Sequence, residues 1–337
     1  MKIAIHFSDN SFSSRWVKYC EENKLNYKIV DAFDSNIIEQ LNEVDVFMWH
    51  HSHTESKDIL TAKKILFALE HAGIKVFPNF KTGWHFDDKV AQKYLLEAIR
   101  APIVPSHIFY NKKKAIDWAR ETSYPKVFKL KGGAGATNVK LVKDFSNAKK
   151  LIDKSFDKGF EQFDRLNYLK ERFNKFKNGK DTLVGFFKGI YRLFVIPEFS
   201  KNIPPEKGYV YFQDFIANND SDIRVIVIGE KAFAIKRLVR EDDFRASGSG
   251  KIIYSKNEVD ENLIKISFEV GKKLESDCTA FDFVFDNGTP LIVEISYGFS
   301  VSAYDMCEGY WDADLVWHEG NFNPQFWMME NIINGIK

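Results

Sequence analysis

Residues 124–142, YPKVFKLKGGAGATNVKLV, constrain what this chain can fold into more than any other stretch. Val127 and Lys129 fall on one face of an alternating strand and Phe128 and Leu130 on the other. The chain then passes through Gly132, Gly133, Ala134 and Gly135 before a second short strand at 139–142. The pattern predicts a hairpin whose tip is poor in side chains and is flanked by Lys129 and Lys131. Glycine lets backbone N–H groups turn toward a ligand with no Cβ in the way, and such donors beside an ammonium suit a phosphate chain. One reading is a lid over a nucleotide triphosphate; an ordinary flexible hairpin would look the same. Two better-known phosphate loops are excluded, because no GxxxxGK[ST] is present and because this loop joins strand to strand instead of opening a helix.

Upstream, short apolar strands (2–7, 27–30, 44–49 and 74–77) alternate with helices (12–22, 35–41 and 57–71). Repeated β and α units with continuous apolar strands predict a parallel sheet covered on both faces. Ligands of such sheets lie beyond the carboxyl ends of the strands, which is where His50, His51, Ser52 and His53 fall. An extended HHSH turns His51 and His53 to one side as candidate substrate contacts, with no carboxylate nearby to support a metal there. The helix predicted over 86–99 carries Asp88-Lys89 near its start. A lysine there adds its ammonium to the helix dipole and can face a phosphate, or it can simply be solvated.

Length and composition narrow the class. At 337 residues, 45% hydrophobic and with formal charge +1, the chain calls for two or three domains and has no bulk attraction for nucleic acid. The start, MKIAIHF, has no signal-peptide pattern, and no apolar run approaches the roughly 20 residues of a membrane-spanning helix, so a cytoplasmic protein is expected. Cys20, Cys278 and Cys307 are far apart and lack CxxC spacing, so neither a disulfide framework nor a thiolate zinc site is indicated. Residues from about 150 to 205 read as an elaboration. Phe156, Phe160, Phe163, Leu166, Leu169, Phe173 and Phe176 recur at helical spacing, with lysines and arginines dominating the other face. That stripe packs on its own domain, or it meets a lipid headgroup layer or an anionic polymer.

The remaining strands, at 209–216, 222–228, 231–239, 280–285 and 291–295, carry charges in unusual places. Arg224, Lys236, Arg237, Arg240 and Arg245 gather along one hairpin and its loop, and Asp282 and Glu294 sit inside otherwise apolar strands. An unpaired charge buried there would cost several kcal/mol, so something compensates it. A three-residue loop, Asn287, Gly288 and Thr289, would place Asp282 and Glu294 opposite each other on one face. Two such carboxylates suit magnesium; salt bridges to the arginines are the alternative.

Taken in order, from about 88 to 296, these parts resemble the ATP-grasp superfamily, and in detail its glutathione-synthetase and RimK-like carboxylate–amine ligase branch. Asp88-Lys89 resembles the first nucleotide lysine region. PKVFKLKGGAGATNV resembles the strand and flexible glycine loop, which makes Lys129 the second phosphate lysine. Gln213, Asp214, Phe215 and Ile216 are similar to the linker that holds adenine and ribose, and Asp222-Ile223-Arg224 and Asp243-Phe244-Arg245 to the DxR and DFR stretches. Asp282 and Glu294 match the metal carboxylates. Two positions depart: Asp214 stands where glutamate is usual, and Ser296 where a metal-binding asparagine is usual.

The resemblance implies an α/β and α+β architecture: a parallel α/β domain at 1–100, a subdomain with the glycine loop at 101–212, and one with the metal site at 213–337. It also implies an ATP-dependent enzyme that phosphorylates a carboxylate and lets an amine attack the acyl phosphate, releasing ADP and phosphate. On that reading Lys89, Lys129, Lys131, Gly132, Gly133, Gly135 and residues 213–216 bind ATP. Asp282, Glu294 and Ser296 hold magnesium, with manganese as the alternative. Arg237 and Arg245 stabilise the transferring phosphoryl group, and His51, His53, Arg224 and Arg240 meet substrate. The acid and amine, whether sugar acid, amino acid or peptide, stay open, as does the oligomeric state, a dimer included. A kinase acting on a small molecule and a non-catalytic nucleotide-binding protein are the competing classes.

Overall fold

In the computed structural model the early alternation forms a four-stranded parallel sheet. Its strands β1 (Lys2–His6), β2 (Asn26–Val30), β3 (Val46–Met48) and β4 (Lys75–Phe77) lie in the order β2-β1-β3-β4. Successive residues of β1 serve opposite faces. Ile3 and Ile5 join a core with Trp16 and Cys20 of the helix Ser13–Glu22, and Ala4 joins another with Ala62, Leu66 and Leu69 of the helix Ser56–His71. Both faces of β1 are covered, so its central residues show no polar alternation. The structure describes residues 1–132, 138–161, 165, 168–169, 172–173, 176, 182–195, 204–240 and 243–335. The chain divides into two units, Met1–Ser52 with Lys57–Val104 and Ile216–Lys337, and His53–Ser56 with Pro105–Phe215.

The second unit holds an antiparallel sheet of β5 (Ser106–Phe109), β6 (Lys126–Lys129), β7 (Val139–Val142) and β8 (Val210–Asp214), in the order β5-β8-β6-β7. Phe128, Leu130 and Phe212 pack under Ala115 and Ala119 of the helix Lys112–Glu121 and Ala148 and Ile152 of the helix Phe145–Phe156. Val127, Lys129, Tyr211 and Gln213 therefore stand on the opposite face, as their pairings 127 with 213 and 129 with 211 require. The stripe read over 156–176 is not one helix. Phe156 closes the helix Phe145–Phe156, and Phe160 bridges to Glu206 and packs on Phe128. Gly159, at φ +75°, turns the chain between them. Phe163 and Leu166 lie outside the described residues.

The first unit also contains a seven-stranded antiparallel sheet built from β9 (Ser221–Ile228), β10 (Lys231–Leu238), β11 (Ile252–Ile253), β12 (Cys278–Asp286), β13 (Thr289–Ser296), β14 (Gly309–Asp312) and β15 (Trp317–Glu319). Its order is β13-β12-β9-β10-β14-β15, with β11 on β10. One face packs Val225, Val227, Phe281 and Phe283 against Leu263, Ile264 and Val270 of the helix Glu261–Leu274. The other packs Ile226, Ile228, Phe233 and Ala280 into the core shared with β1 and Trp16. The aromatic tail closes this core: Phe299, Tyr304, Phe322 and Trp327 surround Phe233. Its last helix, Pro324–Asn334, was legible in retrospect from Asn323, whose side chain caps it, and from proline in its first turn.

Just before β12, Asp277 lines a cavity of about 290 Å³ with Glu70, Phe77, Asn79, Met328 and Asn331 among its walls. Burial, reinforced by Glu70, pushes the Asp277 carboxyl up to about 6, against the pull of Lys75. The folded protein thus binds this proton more tightly than the unfolded chain does. The resulting stability is complete below about pH 4 and is lost as the pH rises to about 6. His85, pushed down to about 4 by burial and by Lys63, titrates in the same window with the opposite effect. The difference between wild type and Asp277→Asn isolates Asp277. The variant is expected to be the more stable above pH 6, by up to about 3 kcal/mol less a discount for partial exposure, with the advantage shrinking toward pH 4. Urea midpoints against pH check this, and a pH-independent difference would contradict it.

Candidate active site

The face of the seven-stranded sheet that buries Ile226 and Ala280 changes character along the strands: its far end carries charge. Strand register sets the arrangement. Glu294 lies opposite Asp282, Asp282 opposite Arg224, and Asp222 opposite Arg237. Arg224 grips Asp282 with two bonds, Nε donating to Oδ1 at 2.5 Å and Nη2 to Oδ2 at 2.8 Å. Arg237 grips Asp222 in the same way at 2.6 and 2.7 Å, and its Nη2 also lies 3.0 Å from Asp282 Oδ2. Two carboxylates and two guanidiniums thus form a buried, charge-balanced network. Burial alone would raise the Asp282 carboxyl, yet Arg224 and Arg237 hold it well below the ordinary carboxylate range. Asp222 is raised, by burial first and then by the charge of Asp282, against the opposing pull of Arg237. Tyr304 is buried beside Arg224 at the edge of this network.

The pairing of Asp282 with Glu294 is as expected, but its cause is different. The hairpin closes on the pair Asp286 and Thr289, leaving a two-residue turn in which Asn287 (φ +47°) and Gly288 (φ +84°) are both left-handed. That turn alone would set Asp282 against Val293. A β-bulge on β13, between the pairs 283–292 and 282–294, moves Glu294 into place.

Glu294 is also paired. The ammonium of Lys89 lies 3.1 Å from Glu294 Oε1 and is itself buried. Lys89 opens the helix Lys89–Ala98, capped by Asp88 and tied to β13 by Gln92 Oε1, which accepts the Ile295 N–H. It therefore sits against the expected metal carboxylate and is not a solvated helix start. Ser296 is held in a local turn, its Oγ bonded to Gly298 O at 3.1 Å and accepting the Gly298 N–H.

Magnesium prefers oxygen ligands and commonly keeps water and phosphate oxygens. Glu294, about one-third exposed, suits it. Asp282 does not offer a vacant oxygen in this arrangement, and the Ser296 hydroxyl is turned into its own loop. Among the described residues, no three histidine, cysteine or carboxylate side chains converge as a metal set. The residues present thus fit an ion held through Glu294 and phosphate oxygens.

The loop after β10 folds on itself. Asp243 receives Arg245 through Nε at 2.8 and 2.9 Å and Nη2 at 2.5 Å, and Arg240 Nη2 donates to Ser247 O at 2.7 Å. Asp243 is held below its usual value by Arg245, which outweighs its burial. Arg240 and Arg245 thus shape this loop.

In the second unit, Lys129 is buried on the face of β6 opposite Phe128 and Leu130, beside Tyr211. Gln213 is buried on the same face, its amide donating to Ser106 Oγ at 3.2 Å. Asp214 accepts from Lys126 Nζ at 2.7 Å, and His107 Nε2 lies 3.4 Å away. Phe215 and Ile216 follow directly, and Asn219 Nδ2 donates to Ile216 O. The start of the glycine loop is held by a residue that sequence reasoning passed over. Glu206 accepts the Lys131 N–H at 2.9 Å through one oxygen and the Gly132 N–H at 3.2 Å through the other, and Tyr209, bonded to Glu206, also accepts from Lys131. Gly133 and Gly135 lie outside the described residues.

The histidines change places. His51 is buried among Trp49, Phe86 and Tyr297, and its carbonyl accepts the Tyr297 hydroxyl at 2.7 Å. A substrate contact through its ring is therefore not what the packing provides. His53 belongs to a short turn grouped with the second unit. His50 stacks on Phe12 with centroids 3.6 Å apart, and a Cβ built on Gly298 would come within 3.5 Å of its Nε2, so His50 borders the loop after Glu294.

These sheets are those of the ATP-grasp fold, which this chain shares with the solved structures below, and two family models each match part of the chain. The RimK-like ATP-grasp domain matches residues 201–311, and the ATP-binding domain of the carbamoyl-phosphate synthase L chain matches residues 88–179. Among solved structures, it is similar to a RimK-domain ATP-grasp protein of Sphaerobacter thermophilus DSM 20745, with TM-score 0.56 and 14% identity over 99% of this chain and 100% of that one. It is also similar to D-alanine–D-alanine ligase of Bacillus anthracis, with TM-score 0.57 and 14% identity over 99% and 98%. A third likeness is to the D-cycloserine synthetase DcsG, with TM-score 0.60 and 11% identity over 99% of both chains. At such identities the likeness is one of fold. No curated protein matches.

Proposed function

We propose that this protein is an ATP-dependent carboxylate–amine ligase of the glutathione-synthetase and RimK-like branch, forming an amide or peptide bond through an acyl phosphate. The observation that carries the proposal is the row Glu294, Asp282, Arg224 with Arg237 beside it, on one face of an antiparallel sheet in an ATP-grasp fold. Similar folds belong to a D-alanine–D-alanine ligase and a D-cycloserine synthetase, both named for joining chemistry.

Lys129, with Lys131 and the backbone N–H groups of the glycine loop, binds the phosphate chain, and Gln213, Asp214, Phe215 and Ile216 hold adenine and ribose. Lys89 and Glu294 bring one positive and one negative group to the phosphates. When bound through Glu294, magnesium neutralises phosphate charge and polarises the γ-phosphoryl group. Arg237, oriented by Asp222 and Asp282, meets negative charge as it develops on the transferring group, at no cost in reorganisation because its position is fixed beforehand. Arg240, Arg245 and the loop they shape, with His50 near Gly298, orient the carboxylate and amine. Proximity supplies much of the rate in such a step.

A matrix of small carboxylates, including amino acids, peptides and sugar acids, against amines tests this, with ADP release as the readout. ADP release that requires both a carboxylate and an amine supports the ligase. Release with a hydroxyl acceptor alone would replace it with a kinase.

A further inference from the structure

The helix Leu183–Phe194, LVGFFKGIYRLF, contributes no residue to the chemistry above and has an unusual surface. Thr182 caps it, its Oγ1 accepting the Gly185 N–H at 3.1 Å. One side packs on its own unit through small residues: Gly185 and Gly189 are buried, and a Cβ at Gly189 would come within 3.2 Å of Leu169 Cδ1 and Arg172 Cβ. Phe186 completes that side by packing on Phe173 and Phe176. The side turned away is the anomaly. Leu183, Val184, Phe187, Tyr191 and Phe194 are between 56% and 80% exposed. At about 100° per residue these five fall in a single arc of about 100°, so they form a continuous strip instead of scattered surface residues.

We propose that this helix lies flat on an anionic lipid surface, with the strip of Leu183, Val184, Phe187, Tyr191 and Phe194 entering the headgroup boundary. Charge selects lipid over the other occupants. The helix has no acidic residue, and Lys188 and Arg192 lie beside the strip, at the height where long cationic side chains reach headgroup phosphates. Residues 158–195 carry nine lysines and arginines against four acidic residues. A second copy docking through the same strip would bring these like charges together. An anionic polymer recognised by charge would give no reason to expose five large apolar side chains. No helix among the described residues is long and apolar enough to cross a membrane, so the attachment is to one surface.

The test uses the full chain in sedimentation with two vesicle types, pure phosphatidylcholine and phosphatidylcholine with about one-third phosphatidylglycerol. Wild type should sediment with the anionic vesicles and much less with the neutral ones. Phe187→Ser with Phe194→Ser should weaken that partitioning at least about tenfold. Lys188→Glu with Arg192→Glu should remove the preference for anionic lipid. All four positions are partly or largely exposed, so both variants should keep the wild-type unfolding midpoint and ADP release in solution. Wild type left in the supernatant, or the serine variant binding as well as wild type, would overturn the proposal. Self-association abolished by the serine pair without vesicle binding would also overturn it, and would assign the strip to a second copy.

Discussion

Replacing Asp282 with alanine is expected to destabilise the protein by about 3–5 kcal/mol, the usual consequence of stripping one partner from a buried ionic network. Asp282 accepts from both Arg224 and Arg237, so its loss takes the bidentate partner from Arg224 and leaves Arg237 to the raised Asp222. Asp282→Asn keeps the shape and one acceptor and should cost less. The double variant Asp222→Leu with Arg237→Met removes one acid and one base together, and should cost less than the sum of its two single changes, because each single change leaves the buried network with a net charge. Chemical unfolding checks these values. An alanine variant within about 1 kcal/mol of wild type would mean that the network is solvated and contributes little.

The second large effect is on turnover. Lys129→Ala and Glu294→Gln should each lower ATP turnover by about 10²- to 10³-fold, the scale on which single preorganised charges act on developing negative charge. Lys129 lies on the face of β6 opposite the apolar cluster of Phe128 and Leu130, and Glu294 is about one-third exposed, so neither substitution opens an apolar core. Circular dichroism should therefore stay native-like while activity falls. Equal magnesium-dependent turnover in wild type and both variants would remove these two residues from the site.

Much of this arrangement was legible from local pattern. The continuous apolar strands at 2–7 and 44–49 required a covered parallel sheet, and Val127 and Lys129 do lie on the face opposite Phe128 and Leu130. What escaped was set by non-local register. That Arg224 meets Asp282, and that Lys89 meets Glu294, depends on which strands and helices become neighbours, not on spacing along the chain. The turn at Asn287-Gly288 was visible, but the bulge that corrects its parity has no signature in LIVEIS. Glu206 lies in a stretch read as an elaboration, and only the fold brings its carboxylate under the Lys131 and Gly132 N–H groups. His51 looks available from sequence because it follows the carboxyl end of a parallel strand, whereas Trp49, Phe86 and Tyr297 enclose its ring.

The central claim is that a carboxylate is activated as its acyl phosphate before an amine displaces the phosphate. It is tested most directly by isotope transfer, using the acid and amine that together support ADP release. With both carboxylate oxygens labelled, attack of one of them on the γ-phosphoryl group forms the acyl phosphate, and expulsion of phosphate by the amine breaks the acyl C–O bond. Each molecule of amide formed should then be matched by one phosphate carrying a single labelled oxygen. Amide accompanied by unlabelled phosphate would contradict the acyl-phosphate route, and ADP accompanied by a stable phosphorylated acceptor would place the protein among the kinases.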